Sequence, residues 1–127
     1  MIKIFLGLGA ILGGLSIAFG AFGTHVLRPI ISEISLETFT IGVRYQAYHA
    51  LVLLIIALLI HSTESPSAIL ITSGWLFLIG IIIFSGSLYI LSITSISNFG
   101  RVAPLGALAL MLGWASLAFF ACTWYKS

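Results

Sequence analysis

Six side chains of this 127-residue chain have types that could do chemistry in an apolar setting: His25, Tyr45, Gln46, His49, Tyr89 and Arg101. Imidazole, phenol and amide offer both donors and acceptors, so a pocket built from them could hydrogen-bond a quinone, a lipid headgroup or a small anion. Catalysis has less behind it. No Asp or Glu stands inside an apolar stretch as a proton-relay partner, and there is no Ser, His and Asp set. His25 and His49 supply at most two ligands to a metal or haem, and a two-histidine haem needs both rings at one depth around a large cavity. The expectation is no catalytic residue, no metal and no cofactor, and the reading leans away from an enzyme. The plain alternative is that these groups hydrogen-bond one another and fix the fold.

What must position them is a set of membrane helices. Hydrophobic residues make up 61% of the chain and charged ones 6%, with a mean hydropathy of +1.25, far from the balance of a soluble domain. Four apolar stretches, residues 4–27, 39–60, 68–93 and 102–125, each approach or exceed the roughly 20 residues that cross the hydrocarbon core. The fold class is all-α, a polytopic four-helix membrane bundle, with residues 1–127 as a single transmembrane domain. A net charge of +2 is too small to suggest nucleic acid as a partner. Cys122 stands alone, so it forms no internal disulfide and reads as a small packing residue. Lys3 followed by an apolar run and Ala21-Phe22-Gly23 imitates a signal peptide, but the run exceeds the roughly 7–15 residues of a signal core.

The first span carries small residues on two faces. Gly9, Gly13, Ser16, Gly20 and Gly23 share one stripe, and Gly7, Gly14, Ala18 and Ala21 lie nearly opposite. Two small faces predict two close neighbours, with Gly9 and Gly13 in small-xxx-small spacing, and therefore the most buried position in the bundle. Arg28-Pro29 ends this span. Ser35 is the expected cap of the second helix, with Glu37 in its first turn.

On the second helix, Gly42, Tyr45, Gln46, His49 and Leu53 share a face that should meet protein, while Glu37, Arg44 and Tyr48 lie on the other. Arg44 can snorkel to the headgroups as an interfacial anchor or bind an anion. The turn around Glu64 leads to Pro66 as a helix starter. In the third span Gly74, Ser85, Tyr89, Ser92 and Ser95 form one side. The serines are candidates for bonds to their own helix, whereas the Tyr89 hydroxyl wants a partner. Pro104 is expected near the start of the fourth helix, where Gly106, Ala109 and Gly113 make a small packing face, and Trp124, Tyr125 and Lys126 anchor its end.

Depth places His25, Tyr45, His49, Tyr89 and Arg101 towards one membrane face, where they could form a single polar pocket. Four spans put both termini on the same side. Arg28, Arg44 and Arg101 against Lys3 and Lys126 favour cytoplasmic interhelical loops by the positive-inside rule.

GAFGTH at residues 20–25, GVRYQAYHALVLL at 42–54, SGSLY at 85–89, APLGA at 103–107 and Gly113-Trp114 resemble the YgdD-like family. This family is also described as domain of unknown function 423 and as transmembrane protein 256-like. The resemblance spans nearly the whole chain, and its most specific part is the tyrosine, glutamine and histidine set of the second helix. Thr24 and Ala107 depart from the pattern, standing where alanine and glycine are usual. The resemblance implies a small four-helix membrane protein in a bacterial inner membrane or an equivalent energy-transducing membrane, and it supplies no reaction. The functional expectation is a structural or accessory membrane component in the lipid bilayer, within a larger membrane complex or a homo-oligomer. The alternative is a self-contained binder of a lipid, quinone or other small amphipathic ligand.

Overall fold

A computed structural model describes residues 1–64 and 67–124, and all regular structure among them is helical. Helix α1 (Ile2–Phe22) continues into a π-helical turn over Gly23–Leu27, and is followed by α2 (Glu33–Ser62), α3 (Ala68–Thr94) and α4 (Asn98–Thr123). All four are long and apolar enough to cross a membrane.

The helix ends differ from the expectation at two places. Ser32, not Ser35, caps α2: its side chain accepts from the Ser35 amide at 3.1 Å, so the helix begins with Glu33. Its polar first turn extends beyond the apolar run, which is why hydropathy alone starts the span at residue 39. Ser67 caps α3 by accepting from the Leu70 amide, and Pro66 lies outside the described residues. α4 begins at Asn98, so Pro104 falls inside the helix rather than at its start, and its missing donor leaves the Gly100 carbonyl without its i+4 partner. Trp124 ends α4, and Tyr125 and Lys126 lie outside the described residues.

Small residues set how the helices meet. A Cβ on Gly9 would stand 2.9 Å from Leu54 and 3.0 Å from the Ala50 carbonyl, Gly13 faces Ala50, Gly20 faces Val43, and Gly23 lies against the Phe39 ring. That order runs α1 and α2 antiparallel. Gly42 against Tyr89 does the same for α2 and α3. A Cβ on Gly113 would stand 2.9 Å from the Phe77 ring, and one on Gly106 would collide with the Phe84 backbone, pairing α4 antiparallel with α3. Both described ends of the chain therefore lie at the end of the bundle that holds the α2–α3 turn.

The order of burial corrects the expectation for the first helix. In the most apolar stretch of α1, 17% of residues are buried, against 44% in α2 and 39% in α3. Only one small face of α1 packs: Gly7 and Gly14 on the other have no atom within 4 Å of a Cβ position. Phe5 and Phe19 reach past α2 to Trp75 and Tyr89 of α3, so α1 lies along the α2–α3 pair rather than inside it. Cys122 is exposed, contrary to its reading as a packing residue. The apolar core, with Phe5, Leu53, Ile56, Leu70 and Phe77 almost fully enclosed, fills the half of the bundle nearer the termini.

Candidate functional site

The polar core is organised by three residues within an eight-residue stretch of α2. Gly42, Gln46 and His49 recur every three or four positions, so they line one stripe of the helix, and all three are buried.

Gln46 joins three helices. Its Nε2 donates to the Leu12 carbonyl of α1 at 2.8 Å, and its Oε1 accepts from the Tyr89 hydroxyl of α3 at 2.6 Å. One turn away, the buried Ser85 hydroxyl of α3 donates to the Gly42 carbonyl at 2.7 Å. The Tyr89 ring is held edge-on to Phe19 and beside Phe39, with centroids 5.3 and 4.9 Å apart. A Cβ on Gly42 would sit 2.8 Å from that ring, so glycine here lets the phenol reach Gln46.

His49 joins α2 to α4. The Trp114 indole Nε1 donates to His49 Nε2 at 3.1 Å. Indole nitrogen is a donor only, so Nε2 carries no proton, and Nδ1 donates to the Tyr45 carbonyl one turn back at 2.7 Å. His49 is thus held as the neutral Nδ1-protonated tautomer. Tyr45, Phe77 and Trp114 surround its ring at centroid distances of 6.0, 5.7 and 5.9 Å.

The six residues singled out by type do not all converge. Gln46 and Tyr89 are bonded, and Tyr45 and His49 adjoin them on α2. His25, on the π-helical turn, is exposed, as is Arg101 in the first turn of α4. These groups were expected to hydrogen-bond one another, but the side-chain partner of His49 is Trp114, from outside the six, because Gln46 is already committed to Leu12 and Tyr89. Trp114 is the residue that the sequence reading missed as a site member. Its signal was an indole in the middle of a span instead of at an interface, where its N–H must find an acceptor within the bilayer.

Among the described residues, no buried side-chain nitrogen or oxygen lacks a hydrogen-bond partner, and no three His, Cys, Asp or Glu residues gather as a metal site. Ser73, Ser87 and Ser92 bond back to carbonyls of α3 itself. An open groove of about 410 Å³ runs between Ile69 and Thr72 of α3 and Leu112 and Phe119 of α4, and the Thr72 hydroxyl is turned to the Ala68 carbonyl.

Residues 19–107 match the family described as "Protein of unknown function (DUF423)". The chain belongs to this family. It is 44% identical to the UPF0382 membrane protein YwdK of Bacillus subtilis (strain 168) over 88% of its own length and 90% of the relative's. It is 39% identical to a UPF0382 membrane protein of Staphylococcus haemolyticus over 91% and 92%. For a UPF0382 membrane protein of Haemophilus influenzae the identity is 36%, over 91% and 90%. No solved structure matches. Like these DUF423-type relatives, the chain is a small integral membrane protein whose environment is the lipid bilayer. The matched DUF423 segment contains Gly42, Gln46, His49, Ser85 and Tyr89, whereas Trp114 lies beyond it.

Proposed function

We propose that this chain acts as a single transmembrane domain with a structural or accessory role in a larger membrane assembly. The observation that carries this reading is the internal use of the polar core: Gln46 bonds two neighbouring helices at once, and both ring nitrogens of His49 are engaged. A pocket kept for a lipid or quinone would hold polar atoms free for the ligand. Here the same atoms fix helix positions, which suits a rigid unit that presents its outer faces to something else.

Extraction in mild detergent, native electrophoresis, and mass spectrometry of both protein and bound small molecules test this reading. Migration within a larger complex is expected. Migration alone with a stoichiometric lipid or quinone would overturn it in favour of a self-contained binder.

A further inference from the structure

The outward face of α2 carries polar groups at a depth where lipid gives them no partner. Tyr48 stands midway between Glu33 and Ser62, the ends of α2, and its side chain is 54% exposed. Other contacts fix the same level as the bundle's middle: Gly13, near the midpoint of the first span, faces Ala50, and Gly80 of α3 faces Leu110 of α4. A phenol at this level lies about 15 Å from either edge of the hydrocarbon. Tyrosine favours the interfaces, where its hydroxyl meets water or headgroups.

Among the described residues the hydroxyls of Tyr45 and Tyr48 take part in no hydrogen bond, though the two rings lie 6.1 Å apart. Arg44 is exposed one turn above Tyr48, about 6 Å from the midplane along the helix axis. Snorkelling eases the position of Arg44 but cannot serve Tyr48. Below them the stripe continues as Leu51, Ile55 and Leu58, all at least half exposed, with the alternating four- and three-residue spacing that a packing seam uses.

Resting on the accessory reading above, we infer that this face docks one transmembrane helix of a different polypeptide, which presents a carboxylate to Arg44 and Tyr48. A second copy of this chain does not fit. A two-fold contact along α2 would set Arg44 against Arg44. The chain's three acidic residues, Glu33, Glu37 and Glu64, lie in the first turns of α2 or beyond its end, so a copy in the same orientation has no carboxylate at mid-depth.

The test is photo-crosslinking in native membranes with p-benzoylphenylalanine at Leu51, and at Ile17 and Leu105 on the exposed faces of α1 and α4 as controls. The expected adduct forms at Leu51 alone, with a foreign helix carrying Asp or Glu at the depth of Arg44 and Tyr48. Arg44→Leu should lower its yield about tenfold, the loss of one strong interhelical bond, and amidation of the partner's carboxylate by substitution should do the same. Tyr48→Phe, which keeps the ring, should lower it less. Adducts only with lipid, with a quinone or with a second copy would overturn the proposal, as would a yield that neither Arg44→Leu nor Tyr48→Phe changes. A large native complex together with such a result would sink this face and leave the accessory role standing, whereas a protein that also migrates alone would sink both.

Discussion

Trp114 and His49 meet across α4 and α2 through an indole N–H 3.1 Å from Nε2, a bond between helices that otherwise make few contacts. It is the polar tie that holds α4 to α2, since the glycines of α4 pack on α3. Trp114→Phe keeps an aromatic ring but removes the donor together with part of the indole. The bond itself should contribute about 0.6 kcal/mol and at most about 2, as interhelical hydrogen bonds in membranes do, and the lost indole packing adds to the cost of the single variant. His49→Leu should cost a similar amount, and the double variant should cost less than the sum. A reversible unfolding titration of the four proteins in bicelles measures the coupling, and strict additivity would mean that the bond contributes nothing.

Gln46 and Tyr89 should show the asymmetry of a shared polar pair. Gln46→Leu leaves the hydroxyl of the half-buried Tyr89 with no acceptor inside the bundle, which costs roughly 1–3 kcal/mol. Adding Tyr89→Phe removes the stranded group, so the double variant should recover much of that loss. The same unfolding titration decides it, and a double variant no more stable than Gln46→Leu alone would contradict the pairing.

The glycines divide sharply by what they face. Gly106→Ala would drive a methyl into the Phe84 backbone, and overpacking of this kind costs typically about 1–3 kcal/mol. Gly14→Ala meets nothing within 4 Å and should be neutral or slightly stabilising, because it also raises helix propensity. Thermal inactivation of the two variants in detergent gives the comparison. A stable Gly106→Ala protein would mean that α3 and α4 are not in contact there.

Topology follows from the antiparallel contacts. In a Cys122→Ser background, Glu64→Cys and Arg101→Cys should react with an impermeant maleimide from opposite sides of the membrane. Labelling of both from one side would remove the four-span arrangement.

Much of the architecture was legible as hydropathy, since four runs of sufficient length leave few alternatives in a bilayer. The ends were less so. Glu33 to Thr38 forms helix through the Ser32 cap, a local hydrogen bond that an apolar average does not register. The two small faces of α1 announced where helices can approach but not where they do: Gly9 is occupied and Gly7 is bare, although both are glycine.

The site was legible by residue type on α2, because buried amide and imidazole at helical spacing must find partners. Which partner each finds depends on how far a neighbouring helix is displaced along its axis. That displacement brings Trp114 to His49 and leaves His25 and Arg101 exposed at their helix ends.

The central claim is that α2 holds the bundle through committed hydrogen bonds, and the protonation pattern of His49 tests it most directly. Solid-state NMR of histidine- and tryptophan-labelled protein in lipid bilayers distinguishes the two ring nitrogens and detects magnetisation transfer from the Trp114 indole proton. The account predicts a neutral His49 with its proton on Nδ1 and transfer from the indole to an unprotonated Nε2. A proton on Nε2, or no transfer from Trp114, would contradict it.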